Sequence, residues 1–379
     1  MIPLAMTHPA ETLPARRREK STDCELEQLE SAIAAFARTA PQHTSERWQE
    51  VRSRCSSLGP AVLELIDAMA ASTGGKYLRP RLVAAAYFGL GGTDLDLLSE
   101  VAGAQQLLHI GLCTHDDLID DDRIRHGTPN LIATITDSGL AAGFTPEVAE
   151  RQGMAAGLLA GDLALNAALR ALLVVRAPDS IRQRLALETA SALERTIAGE
   201  LMDVQSEVIP PALAEPLRVA ELKTAGYSVA LPLRLGAIAA GITSESLLEV
   251  LYHVGIAFGI AYQLVDDDLG LFGSSAHTGK SVLSDVQRGK RTEHIREAYA
   301  RAQAPDWAVL NQLLGTASAT EDDAAAVREI VVRTGARDAV HNTVDGHLEH
   351  GLRLAHEELP TALAEHLTGL AHSLRTRTR

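Results

Sequence analysis

Aromatic side chains make up only 3% of this 379-residue chain, although 46% of its residues are hydrophobic. The apolar share is carried mainly by Ala and Leu, which favour helix over strand. Cysteine is almost absent as well. Cys24, Cys55 and Cys113 are odd in number and show no CxxC spacing, which argues against a disulfide framework or a structural zinc site and fits a reducing cytoplasm. No window holds 18 uninterrupted apolar residues, so no transmembrane helix is expected. The N-terminal stretch MIPLAMTHPAETLPARRREK lacks the apolar run of a signal peptide and places its arginines after its weakly apolar part. Positive charge is in deficit, with a formal net charge of −14. A general nucleic-acid surface is therefore excluded as the expected role.

What remains is helical periodicity. Residues 1–22 read as a flexible arm, and 23–379 as one large helical domain. Leu26, Leu29, Ile33 and Phe36 share one face, and similar spacing runs through 60–72, 80–90, 95–119, 147–175, 179–208, 213–240, 244–272, 291–303, 322–357 and 360–375. Breaks fall at Gly74-Gly75, Gly91-Gly92, Gly127 to Asn130, Pro210-Pro211 and Gly273 to Ser275. No stretch alternates like a strand. The predicted class is all-α, a helical bundle with short connections.

Two acidic clusters interrupt this apolar pattern. Asp116, Asp117, Asp120, Asp121 and Asp122 close the apolar run VAGAQQLLHIGLCT, and Asp266, Asp267 and Asp268 close HVGIAFGIAYQLV. Positions i and i+4 share a helix face, so Asp116 and Asp120 project together. Carboxylates crowded at the end of an apolar helix repel and lose hydration, and so they need cations. Oxygen ligands without Cys or paired His suit magnesium, which usually shares phosphate oxygens with a substrate. A single acidic helix end is usually only a solvated one. Two of them, each followed by bases, favour a diphosphate grip. The bases are Lys76, Arg79 and Arg81 in GGKYLRPR, then Arg125 with His126, then Lys223, then Lys280, Lys290 and Arg291.

In this order the motifs resemble those of the trans-prenyl diphosphate synthases. GGKYLRP is similar to that family's GGKxxRP. HDDLIDDDRIRHGTP resembles its first aspartate-rich motif followed by RRGxP, and KTAGYS resembles its KT motif. The second aspartate-rich motif, with its downstream GK, D and GK elements, resembles YQLVDDDLGLFGSSAHTGKSVLSDVQRGKRT. GD at 161–162 and GELMD at 199–203 also match, and the likeness covers roughly residues 60–300.

The resemblance implies magnesium held by Asp116, Asp120 and Asp266, with Asp117 and Asp267 in support and three ions per site. It implies that Arg125, Lys223 and Lys280 hold an allylic diphosphate, while Lys76, Arg79 and His109 hold isopentenyl diphosphate. Gln263 and Thr224 would then lie near the reacting allylic carbon, and Lys290 and Asp285 would close the C-terminal side. A homodimer is implied too. Two positions depart from the pattern. His126 replaces the second arginine of RRGxP and is the weaker anchor at neutral pH, when imidazole is mostly neutral. Gly270 replaces the last aspartate of the second motif, and Asp268 is expected to compensate. Gly111, five residues before Asp116, would face the elongation tunnel with Leu112 beside it and Leu108 as floor. That reading favours a product of about C20 or longer over C10 or C15, whereas Gly111 serving only close helix packing is the plainer alternative. Rival functions are a terpene cyclase on the same scaffold, which would need no site for Lys76, Arg79 and His109, and a non-catalytic partner subunit, which would have lost its acidic ligands.

Overall fold

The structure, a computed structural model, describes residues 15–125, 127–273 and 283–377, without the side chains of residues 15–22 and 284. His126 and Lys280 lie outside the described residues. Helix α1 spans Ala15–Arg54, so it begins inside the stretch expected to be an arm. Then follow α2 (Pro60–Ser72), α3 (Leu78–Gly89) and α4 (Leu95–Ile119). A two-residue hairpin comes next, β1 (Ile124–Arg125) against β2 (Thr128–Pro129), paired Ile124 to Pro129 and Arg125 to Thr128. It is too short to alternate, which is why no strand was legible.

Beyond it lie α5 (Leu131–Ala141), α6 (Pro146–Val174), α7 (Asp179–Ser206) and α8 (Pro216–Val219). The stretch read as one helix over 213–240 is divided. Residues Ala220–Ala230 form a π-helical segment that leads into α9 (Leu231–Ala239). Pro232 lacks the N–H that would bond the carbonyl of residue 228, and the wider coil accommodates that loss. Then come α10 (Glu245–Phe272), α11 (Ser284–Arg288), α12 (Glu293–Arg301), α13 (Ala304–Leu313), α14 (Glu321–Arg333), α15 (Ala336–Glu358) and α16 (Thr361–Arg377). The expected single helix over 322–357 breaks at Gly335, whose φ of 72° is left-handed.

Side-chain caps fix where the site-bearing helices start. Asp94 accepts from the backbone N–H groups of Asp96 and Leu97 at the start of α4, and Ser244 accepts from Leu247 at the start of α10. Both helices run through the main apolar core, where Leu98, Leu107, Leu108, Phe258, Ala261 and Leu264 are buried. A smaller apolar cluster of Leu271, Val286, Ile295, Leu310, Val327 and Ile330 gathers α11 to α14 against the end of α10, while α15 and α16 join the main core. Among the described residues, two helices have windows apolar enough to cross a membrane by length and composition, α6 at mean hydropathy 1.5 and α10 at 1.4. Polar residues interrupt both, so neither contains an unbroken apolar run of 18 residues. The α10 window is 61% buried inside the protein, as a core helix would be.

Candidate active site

The first acidic set sits where α4 ends. Asp116 and Asp117 lie in its last turn, and Asp120 is its C-cap. Asp121 turns the chain through a left-handed residue at φ 49°, and the hairpin that follows sends Arg125 back to the helix end. Arg125 Nε donates to Asp117 Oδ1 at 2.8 Å, and its Nη2 to Asp116 Oδ2 at 3.2 Å.

Opposite them stands the π-helical segment. Lys223 Nζ is 3.1 Å from Asp116 Oδ1, 3.0 Å from Glu200 Oε2 and 2.7 Å from Asp203 Oδ2. Burial works against this ammonium, but Asp116, Asp203 and Glu200 outweigh it and raise the Lys223 pKa. Gly199 lets α7 come this close, because a Cβ there would collide with the Lys223 backbone. One carboxylate oxygen from each of Asp116, Asp120 and Glu200 falls within 4.8 Å of the others. This all-oxygen donor set fits a hard divalent cation such as magnesium.

The bases after α10 close the same site. Lys290 Nζ is 2.9 Å from Asp120 Oδ2, and Arg288 Nη1 is 2.7 Å from Asp120 Oδ1. From the π-helical segment, Thr224 Oγ1 donates to Gln263 Oε1 on α10, and Gln263 Nε2 donates to Asp267 Oδ1, both at 2.7 Å. Burial pushes the Asp267 carboxyl up to about 7, with Asp285 adding to the effect and the Gln263 hydrogen bond opposing it. Asp266 is likewise raised by burial, opposed by Arg377 and by a hydrogen bond from Tyr262. Its carboxylate is not one of the three that converge on one another.

Arg79 and His109, expected to hold isopentenyl diphosphate, are brought together. Arg79 Nη1 is 3.2 Å from His109 Nε2, and Arg79 Nη2 donates to Ser228 Oγ at 2.7 Å and Tyr227 Oη at 3.3 Å. The guanidinium also lies 5.2 Å from the Tyr227 ring centroid. Lys76 is exposed. It is one of the cations that oppose the rise at Asp266.

Two expectations change. Asp268 does not compensate for Gly270 at the site. It is 1% exposed and turned away, with Arg337 Nε and Nη2 each 2.9 Å from its carboxylate and His294 and His341 at 3.2 and 3.3 Å. Burial disfavours its charge, but the hydrogen bonds from His294 and Arg337 overcome that and hold its pKa below the usual carboxylate range. Arg337 stacks 4.0 Å from the Phe272 ring centroid, so the group fastens α15 to the end of α10. Gly111 does not border open space. A Cβ there would stand 3.0 Å from Leu165 Cγ and 3.1 Å from the Gly161 carbonyl, so this glycine permits α4 and α6 to approach. Leu108 is fully buried and Leu112 partly so.

Glu200 and Asp203, both within GELMD, are residues of the site that the motif match alone does not assign. The usable signal was their i, i+3 spacing, which puts both carboxylates on one face of α7. Arg288, Tyr227 and Ser228 carried no signal of their own.

Residues 61–331 match the family model described as polyprenyl synthetase. The chain is 33% identical to a (2E,6E)-farnesyl diphosphate synthase of Mycobacterium tuberculosis, across 79% of this chain and 78% of that protein. It is 31% identical to a geranylfarnesyl diphosphate synthase of Aeropyrum pernix, across 74% and 81%. Its fold matches the crystal structure of a Corynebacterium glutamicum geranylgeranyl pyrophosphate synthase complexed with isoprenyl diphosphate and magnesium. There the TM-score is 0.81 at 28% identity, covering 89% of this chain and 99% of that one.

Proposed function

The chain belongs to the polyprenyl synthetase family, and from that membership we propose that it is a magnesium-dependent prenyltransferase joining an allylic diphosphate to isopentenyl diphosphate to give a longer trans-prenyl diphosphate. The observation that carries this reading is the convergence of Asp116, Asp120 and Glu200 against Lys223, Lys290 and Arg125 at the end of an apolar helix. The relatives named for C15, C20 and C25 products bound the expected length.

Magnesium bound by Asp116, Asp120, Glu200 and Asp266, three ions in the full site, would neutralise charge growing on the departing diphosphate. Lys223, Lys290 and Arg125 are placed to exchange their carboxylate partners for diphosphate oxygens. Arg125 contributes a planar fork and the lysines point charges. Gln263 and Thr224, hydrogen-bonded to each other, orient amide and hydroxyl dipoles beside Asp267, where the allylic carbon would ionise. Arg79 and His109, steadied by Tyr227 and Ser228, hold the second diphosphate so that its double bond meets that carbon. The surrounding apolar helices keep water from the cation. Among the described residues no side-chain base stands out for the final proton, so the released diphosphate accepts it.

A homodimer belongs to the same proposal. Met154 and Leu158 on α6 and Ile197 and Leu201 on α7 are each at least 50% exposed at i, i+4 spacing, and the two helices pack together. A cytoplasmic setting accords with three cysteines that form no disulfide.

The test is to incubate purified protein with magnesium, isopentenyl diphosphate and each allylic primer, then chromatograph the dephosphorylated products. Primer elongation is expected. Conversion of an allylic diphosphate alone into a hydrocarbon would establish a cyclase instead, and no turnover without an added partner chain would establish a subunit.

A further inference from the structure

One cavity lies apart from the acidic sets. It measures about 370 Å³ and sits where α7, α9 and α10 meet, lined by Glu188, Ser191 and Arg195 of α7, Arg234 of α9, and Glu249 and Tyr252 of α10. Arg195 stands five residues before Glu200 on α7. That is about 7.5 Å along the axis and roughly 140° around it, so the two side chains leave the helix in different directions. Arg195 is also roughly 200° around the helix from Ile197, and so faces away from the apolar surface assigned to a partner copy.

The arginines here are not used alike. Arg234 Nη2 donates to Glu188 Oε1 at 2.6 Å, and its Nη1 is 3.7 Å from Glu249 Oε2. One turn before Glu188, Arg184 Nη2 is 2.6 Å from Glu245 Oε1. Arg195 has no carboxylate partner and no hydrogen bond among the described residues, and its Nε is buried without an acceptor. Its guanidinium rests against Tyr252, 5.6 Å from the ring centroid, with Arg234 5.8 Å from the same ring. Ser191, one turn before Arg195 on the same face of α7, is short of partners as well. Thr189 and Thr196 on this helix return their hydroxyls to the carbonyls of Leu185 and Ala192, but Ser191 Oγ makes no hydrogen bond with the described residues. Buried donors are paired almost throughout folded proteins, so an unpaired guanidinium N–H beside an unpaired hydroxyl calls for an acceptor from outside the chain.

We propose that this cavity binds a small oxyanion, the phosphate or carboxylate group of a metabolite, between Arg195 and Ser191. A guanidinium presents parallel N–H donors that match such a group, and Ser191 adds a hydroxyl one turn away. Glu188 and Glu249 do not exclude the anion, because both carboxylates face Arg234. The Tyr252 ring supports the face of the Arg195 guanidinium and leaves its N–H edge to the ligand. The site is separate from the diphosphate site and does not depend on that reading.

Calorimetric titration of the full-length protein with inorganic phosphate, without magnesium, tests it. The wild-type protein should show a class of sites that Lys290→Met retains, since that lysine belongs to the end of α4. Arg195→Gln should weaken this class by about tenfold or more, the scale of losing a charged donor to an oxyanion. Ser191→Ala should weaken it by a smaller factor, and it removes too little to endanger the fold. Both variants should keep the helical circular dichroism of the parent. Acetate in place of phosphate separates the two sources, the tighter probe naming the group. Phosphate and acetate binding unchanged in Arg195→Gln and Ser191→Ala, loss of the same class in Lys290→Met, or a wild-type protein that takes up neither anion overturns the proposal.

Discussion

Lys290 and Asp120 stand 170 positions apart and meet directly, Nζ to Oδ2 at 2.9 Å, at the point where the chain after α10 returns to the end of α4. One ammonium thereby joins the first acidic set to the segment that carries Asp285. Lys290→Met should lower kcat/KM for the allylic primer by about a hundredfold, the scale on which one preorganised charge contact acts in a transition state. Incorporation of labelled isopentenyl diphosphate measures it, and an unchanged value would make the contact merely structural.

Asp116 touches both Lys223 and Arg125, so its removal disturbs the charge balance without opening the core. Asp116→Ala should reduce turnover by more than about a hundredfold at saturating magnesium while keeping the helical circular dichroism of the parent. Asp266→Ala should do the same. Near-normal activity in either variant would remove that residue from the metal assignment.

Asp268 is expected to behave differently from its two neighbours. Arg337→Gln strips the bidentate partner from a buried carboxylate and should cost about 2 kcal/mol of stability by urea unfolding, the scale of a hydrogen bond to a charged group. Asp268→Asn should leave the magnesium concentration for half-maximal activity nearly unchanged. A large rise in that concentration would return Asp268 to the metal site.

Gly111 tests how the elongating chain runs. Gly111→Phe meets Leu165 and the Gly161 carbonyl, so it should destabilise the protein by about 1–3 kcal/mol through overpacking. A fully stable Gly111→Phe enzyme making a shorter product would show that the chain passes this glycine after all. Product chromatography and thermal unfolding together decide it.

Much of this was legible in the sequence because the informative patterns are local. The spacing over 95–119 predicts α4 as it stands, since its cap, its apolar period and its terminal aspartates lie within one stretch. The Asp116 and Asp120 pairing follows from helix geometry alone. What stayed hidden depends on contacts between distant segments. Asp268 reads like its neighbours until Arg337, 69 positions away, is seen on it. Glu200 belongs to the acidic group only because Gly199 lets α7 approach the Lys223 backbone. The space beside Gly111 depends on where Leu165 lands. The π-helical turn could not be read from hydrophobic spacing, because one widened coil leaves the surrounding apolar period almost unchanged.

The three carboxylates around Lys223 carry a further consequence. An ammonium has three protons to donate, and Asp116, Glu200 and Asp203 lie around it to receive them. On the proposed reading, a diphosphate oxygen gains Lys223 only by releasing one of these carboxylates, and the released charge calls for a counter-ion. Anion and cation uptake are thus thermodynamically linked, each raising the affinity for the other by the same factor. An enzyme built on that reading would report the ionic state of its surroundings, because its hold on prenyl diphosphates would rise and fall with free magnesium.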